Sequence, residues 1–249
     1  NDSNEKLIEF FNYLKNTDYK AFFRQISKVI EEFHLSNTAE NGYSFYGCNS
    51  SAGLSSYNRE HFLALRENFN SLQTKDSYYF AKFYILIVYA FNNQIRFNSK
   101  GFYNLPVGKR DFNKRMSEKL ETFMSSIANI EFTSKDFREF KTEILTQNDF
   151  VYADPPYLIT CASYNELDGW NENNEIDLLK MLDKLNERKL RFALSNVLSA
   201  KGKVNNILDS WLNKNPEYKC YHLNFDYKNS NYHKTERINK ADEVLITNY

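Results

Sequence analysis

The chain has 249 residues, 42% of them hydrophobic and 26% charged, and its 32 basic and 32 acidic side chains leave no formal net charge. Such a composition fits a folded domain of ordinary size and excludes a chain that meets nucleic acid through its overall charge, so any basic footprint must be local. Cys48, Cys161 and Cys220 share no metal or redox spacing and fit a reducing cytoplasm; His34, His61, His222 and His233 form no ligand pairs, so no metal site is expected.

The sequence begins at Asn1 rather than Met and runs straight into a helical pattern, which reads as the middle of a protein. "EKLIEFFNYLKN" places Leu7, Phe10, Phe11 and Leu14 on one helical face, and "YKAFFRQISKVIEEFHL" does the same with Phe22, Ile26, Val29, Ile30 and Phe33. Residues 36–56, rich in Ser, Asn and Gly, read as a loop. "NREHFLALRENF" is a further helix, and Tyr78–Phe91 another, with Asp76 or Ser77 as N-cap; that segment is too short, and too interrupted by Lys82, to span a membrane. Residues 92–113 alternate short apolar positions around a Ser-Lys-Gly turn and predict a hairpin or ordered loop. A helix follows from Ser117, with Leu120, Phe123, Met124 and Ile127 inward.

Beyond it the pattern alternates. "IEFT" (130–133), "FVYA" (150–153), "LRFALS" (190–195), "YKCYHL" (218–223) and "EVLITN" (243–248) predict strands, with helices over "NEIDLLKMLDKLNER" and "KVNNILDSWLNK". Alternation of this kind predicts an α/β domain with a mostly parallel sheet, preceded by a mainly helical and hairpin insertion.

The chemistry concentrates where "FVYA" ends in Asp154, Pro155, Pro156 and Tyr157, a stretch holding two of the chain's four prolines. Ligands of open α/β sheets bind beyond the carboxyl ends of strands. Proline fixes φ, lacks an N–H and holds its predecessor extended, so two prolines make a stiff segment with free carbonyls. A carboxylate, a carbonyl and a flat ring suit a planar amino group: the acceptors take its hydrogens and stabilise the charge that develops when its nitrogen attacks, while the ring stacks.

A second concentration lies between Arg96 and Arg115. Arg96, Lys100, Lys109, Arg110, Lys114 and Arg115 stand there against one acid, Asp111, interleaved with Asn92, Asn93, Gln94, Asn98 and Asn104 and with Phe97, Phe102 and Tyr103. Cations fit phosphates, amides fit base edges and aromatics wedge or stack. "YKNSNYHKTERINK" (227–240) forms a further basic patch.

"DPPY" after an apolar strand resembles the motif of amino-methyltransferases. "FNNQIRFNSKGFYNLPVGKR", "DFVYADPPYLITCASYN", "LRFALSN" and "ADEVLITNY" together resemble the DNA adenine-N6 methyltransferases of the Dam-like type, over the whole of Asn1 to Tyr249. The resemblance implies a Rossmann-like methyltransferase sheet with an inserted helical and β-hairpin target-recognition domain. It puts the catalytic domain at residues 1–15 and 116–249 and target recognition at 16–115. It implies S-adenosylmethionine as methyl donor, no metal, and a flipped adenine in double-stranded DNA as acceptor, in a monomeric enzyme of the cytoplasm that serves restriction-modification or phage or host DNA modification.

By the same resemblance, Asp154 and the Pro155 carbonyl hold the target amino group, Pro156 stiffens the turn and Tyr157 stacks on the base. Asp2 binds the donor's ribose, Phe137 packs on its adenine, and Tyr164 closes over the reactive centre. Asn92, Asn93, Gln94, Arg96, Asn98, Pro106, Lys109, Arg110, Ser195 and Asn196 face DNA, with Arg96 as the guanine contact, Pro106 shaping the hairpin end, and Asn98, Lys109 and Arg110 on phosphates. Gln94 stands where relatives that read GATC often carry an apolar residue, so the sequence does not decide between GATC and a related site. The family's glycine-rich loop has no counterpart at Gly42, Gly47 or Gly53, and it is expected upstream of Asn1 with the first two strands, so that residues 1–249 alone bind the donor weakly. A related amino methyltransferase of cytosine N4, RNA or protein glutamine, and a DNA-binding remnant without catalysis, are the competing readings.

Overall fold

A computed structural model describes residues 1–160, 169–223 and 241–249. The chain divides into two compact units, Asn1–Ser134 and Lys135–Tyr249.

The first unit is helical. Helices α1 (Glu5–Lys15), α2 (Tyr19–Glu32), α3 (Thr38–Phe45), α4 (Ser55–Ser71), α5 (Ser77–Tyr89) and α6 (Lys114–Ser126) follow in order. Asn4, Asp18, Asp76 and Asn113 cap α1, α2, α5 and α6 by accepting backbone N–H bonds of the first turn. Their apolar faces meet in a core rich in rings. Phe10 packs edge-on against Phe83 with centroids 5.5 Å apart, and Phe22, Phe62 and Tyr89 are wholly buried. Each such side chain contributes roughly 2–3 kcal/mol by leaving water. Phe11 touches Phe123 and Phe132, with centroids 5.4 and 5.1 Å away, so α1 and α6 pack with the helical unit. Packing thus divides the chain after Ser134.

Two expectations need correction here. Residues 36–56 are not all loop. Helix α3 forms within them, bent at Gly42 (φ 68°), and it has no buried side chain. It is held instead from outside: Asp111 accepts the Thr38 N–H at 2.7 Å and the Thr38 hydroxyl at 2.9 Å. "IEFT" joins no ladder among the described residues. It runs beside the N-terminus, where Asp2 donates its N–H to the Thr133 carbonyl and Asn12 donates to that of Phe132.

The second unit holds the sheet. Strand β1 (Phe150–Ala153), α7 (Glu172–Glu187), β2 (Arg191–Ala200), β3 (Lys203–Val204), α8 (Asn206–Lys214), β4 (Lys219–Leu223) and β5 (Asp242–Thr247) follow, in spatial order β1-β2-β5-β4 with β3 on β2. β1 and β2 are parallel, while β5 runs antiparallel to both β2 and β4. The sheet is therefore open and mixed, less parallel than the alternation predicts, because β4 and β5 are neighbours that need no crossover helix. Leu178, Leu182 and Leu185 of α7 and Leu208 and Trp211 of α8 cluster with Phe192, Leu194, Val244 and Ile246. With a side-chain period of two, Val151 and Ala153 join this apolar layer, while Phe150 and Tyr152 point the other way and are exposed. No described helix is long and apolar enough to cross a membrane.

Candidate functional site

In the second unit, the period of β1 carries past its end and puts Asp154 on the same side as Tyr152. On β2, Ala193 and Ser195 occupy that side, since Phe192 and Leu194 belong to the helix-covered layer. The register sets Tyr152 beside Ala193 and Ala153 beside Leu194, which brings Ser195 level with Asp154. The Ser195 hydroxyl donates to Asp154 Oδ1 at 2.6 Å, the Tyr157 phenol donates to the same oxygen at 3.2 Å, and the Tyr152 phenol donates to Ser195 Oγ at 3.1 Å. Asp154 remains exposed. Burial, with the Asp154 charge adding to it, pushes the Tyr157 phenol above its usual value, so it stays protonated and able to donate. The Pro155-Pro156 step runs without helix or strand, as two locked φ angles and missing donors require.

Phe137 lies in a short 3₁₀ turn, Phe137–Glu139, capped by Asp136. Its ring is half-buried, with Trp170 5.6 Å away and the Arg138 guanidinium 4.6 Å from its centroid. Asp2 belongs to the first unit. It is exposed, and its carboxylate accepts the Asn4 N–H at 2.7 Å. The helix cap is Asn4, so Asp2 is not bound to that task. Tyr164 and the basic patch 227–240 lie outside the described residues.

Asn196, expected on DNA, is 1% exposed and donates to Glu175 Oε1 at 2.9 Å. Ser195 is buried as well, and its proton goes to Asp154.

In the first unit the predicted hairpin exists in reduced form. Isolated antiparallel bridges join Ala90 to Val107 and Phe97 to Tyr103. Asn98 builds the tip: its Oδ1 accepts the N–H groups of Lys100 and Phe102, each at 3.0 Å. Asn93, at φ 53°, donates to the carbonyls of Ile87 and Val88 and closes the end of α5. These two amides hold the hairpin's own backbone in place. Arg96 points across the hairpin, its Nε 2.8 Å from Asn104 Oδ1 and its Nη2 3.2 Å from the Asn104 carbonyl. Asn92, Gln94, Pro106, Lys109 and Arg110 are exposed. Gly108 lets the strands close: a Cβ there would stand 2.3 Å from the Ala90 carbonyl oxygen. Asp111, the one acid of the segment, is fully buried, so its charge does not face solvent with the six cations. Burial pushes its carboxyl above the ordinary 3.8, opposed by the bonds from Thr38 and Ser36.

With these features placed, comparison with known proteins is decisive. The D12 class N6 adenine-specific DNA methyltransferase family matches residues 1–224. The chain belongs to that family. It is 38% identical over 256 residues to the Type II methyltransferase M.FokI of Planomicrobium okeanokoites and 34% identical over 260 residues to the modification methylase StsI of Streptococcus sanguinis. It is 26% identical over 253 residues to the modification methylase LlaI of Lactococcus lactis subsp. lactis. Each alignment takes in 100% of this chain and 35% of the relative, so the chain spans about a third of the length of these proteins. Its α/β sheet is compatible with a Rossmann-like methyltransferase fold.

Sequence reasoning missed three residues of this D12-family chain that the structure brings forward. Tyr152 looked like a strand residue, yet its phenol reaches Ser195. Asn104 looked like one more interleaved amide, yet it braces Arg96. Glu175 was read only as part of the helical stretch "NEIDLLKMLDKLNER". It is buried, and takes Asn196 and Asn205 on Oε1, each at 2.9 Å, and the Trp170 indole on Oε2 at 2.7 Å. The one available signal for Glu175 was its place in the first turn of α7, where a carboxylate is favoured.

Proposed function

We propose that the protein is a site-specific DNA adenine-N6 methyltransferase of a restriction-modification system, acting in the cytoplasm with S-adenosylmethionine as methyl donor. The observation that carries this reading is the exposed Asp154 carboxylate at the carboxyl end of β1, anchored through Oδ1, beside the Pro155 carbonyl and the Tyr157 ring. Family membership and the relatives named as modification methylases support it.

The target adenine is inaccessible inside a duplex and must be flipped into the site. Asp154 and the Pro155 carbonyl accept the two N6 hydrogens and Tyr157 covers the ring face, releasing its bond to Asp154 as the base enters. The donor supplies a methyl made electrophilic by a sulfonium. The N6 lone pair forms the new N–C bond as the S–C bond breaks, the electron pair stays on sulfur, and the N6 proton leaves by Asp154 to solvent. Of the residues proposed for this donor, Phe137, half-buried beside Trp170, offers an aromatic wall for its purine. Within residues 16–115, Arg96, Gln94, Asn92 and the exposed Lys109 and Arg110 face the DNA, with Pro106 at the hairpin end. This segment is the target reader, and residues 1–15 and 116–249 carry the transfer chemistry.

Asp154→Ala tests the proposal. It should abolish methyl incorporation into duplex DNA while leaving DNA affinity within about threefold, since phosphate contacts supply most of that affinity. Nucleoside analysis of the product should show N6-methyladenine. Retained turnover in the variant would refute the assignment of Asp154, and N4-methylcytosine would refute the assignment of the base.

A further inference from the structure

We infer that Ser195 and Tyr152 are positioning residues for Asp154, forming a two-hydroxyl relay that holds one carboxylate oxygen so that the other is presented to the target amino group. The inference rests on the methyltransferase reading above and goes beyond it, since it assigns Ser195 to the carboxylate and not to DNA and gives Tyr152 a role in the site.

The direction of the relay follows from proton count. Ser195 has one hydroxyl proton, and the oxygens within its reach include Asp154 Oδ1 at 2.6 Å, the Ala153 carbonyl at 3.5 Å and the Tyr157 phenol. The carboxylate is nearer and charged, and a charge-assisted O–H bond of this length is roughly twice as strong as a neutral one. The proton therefore goes to Asp154, which leaves a Ser195 lone pair for the Tyr152 phenol at 3.1 Å. Each donated bond polarises the next, so the outer hydroxyl strengthens the inner one.

The consequence is an asymmetric carboxylate. Oδ1 accepts from Ser195 and from Tyr157. Among the described residues Oδ2 has no hydrogen-bond partner, and Asp154 is exposed. An exposed aspartate with neither anchor would rotate freely about its terminal torsion, which is broad and two-fold. The relay removes that freedom before the base arrives, and placement of a reacting group to within about 0.5 Å is what preorganised sites need. The two relay hydroxyls, Tyr152 and Ser195, stand on β1 and β2, and the β1–β2 register fixes their separation. Tyr157 lies beyond the prolines, outside the strands that carry the relay. It is free to leave Oδ1 for the base while Ser195 keeps its hold.

The test compares single-turnover methylation rate with DNA affinity in the intact protein. Ser195→Ala should slow methyl transfer about tenfold or more, with DNA affinity within twofold and thermal stability unchanged. Ser195→Thr keeps the hydroxyl and should recover most of the rate. Tyr152→Phe should slow transfer severalfold, and the double variant S195A/Y152F should be no slower than S195A, because the two hydroxyls act in series. Three results would overturn the inference and leave the methyltransferase reading intact: a wild-type rate in S195A, losses that multiply in the double variant, or an S195A defect confined to DNA affinity. A wild-type protein that binds both S-adenosylmethionine and duplex DNA yet transfers no methyl to adenine would overturn both.

Discussion

Replacing Glu175 tests how the second unit is held together. The side chain is fully buried and accepts three N–H bonds, from Asn196, Asn205 and Trp170, at 2.9, 2.9 and 2.7 Å. These donors come from β2, from the N-cap of α8 and from the segment before α7, so one carboxylate ties three elements together. Glu175→Ala strands all three donors. A buried donor without a partner costs about 1–3 kcal/mol, and water entering the vacated space returns part of it, so the net loss is about 4 kcal/mol. Glu175→Gln keeps an oxygen for the two asparagines but turns an NH2 toward the Trp170 N–H; one bond is lost, and about 2 kcal/mol with it. For a unit of this size that means a fall in Tm of about 15 °C for Ala and half as much for Gln. Both tryptophans, Trp170 and Trp211, lie in the second unit, so intrinsic fluorescence during heating reports on it selectively. An Ala variant melting within about 2 °C of wild type would refute the donor count, as would a Gln variant as damaged as Ala.

Gly108→Ala should fail to fold or lose most of its stability in thermal melts, because the added Cβ meets the Ala90 carbonyl at 2.3 Å and backbone cannot yield as a side chain does; a near-wild-type melt would show that the hairpin base is not closed as described. Asp111 predicts a pH dependence of definite sign. Burial raises its folded-state pKa above the ordinary 3.8, so the native state binds its proton more tightly than the unfolded chain. Stability of wild type relative to Asp111→Asn should be flat below that value and fall as pH rises above it toward the raised pKa, measured by urea titration; a rise with pH would reverse the assignment. Arg96→Ala should cost about 1–3 kcal/mol of discrimination on the cognate site and little on non-specific duplex. Asn104→Ala, which releases the guanidinium from its 2.8 Å brace, should reproduce part of that loss. Equal losses on every sequence, seen in competition binding, would reduce Arg96 to a phosphate contact.

What the sequence shows and hides in this chain divides along the range of the interactions. The strand end at Asp154 was legible because its geometry is local: an apolar strand, two prolines and a ring in consecutive positions leave the backbone few alternatives. The first two helices were legible for a related reason, since Leu7, Phe10, Phe11 and Leu14 in one and Phe22, Ile26, Val29, Ile30 and Phe33 in the other recur at helical spacing. Helix α3 was illegible because its anchor, Asp111, follows Thr38 by 73 residues, and no local pattern of Ser, Asn and Gly announces a cap supplied from so far away. "IEFT" erred in the opposite direction. Its composition suits a strand, but a strand also needs a neighbour, and among the described residues it finds none in a ladder.

Ser195 and Asn196 show the division most sharply. Adjacent in sequence and both read as DNA contacts, they sit on opposite faces of β2. One hydroxyl turns to Asp154, and one amide turns inward to Glu175 beneath the helices. A period of two separates their roles completely, and only the register of β2 against β1 determines which of the pair reaches the carboxylate. A one-residue slip in that register would bring Asn196 to Asp154 and bury Ser195 against Glu175. The proposed clamp therefore draws on four consecutive residues, while the hold on its carboxylate depends on a strand pairing more than forty residues away.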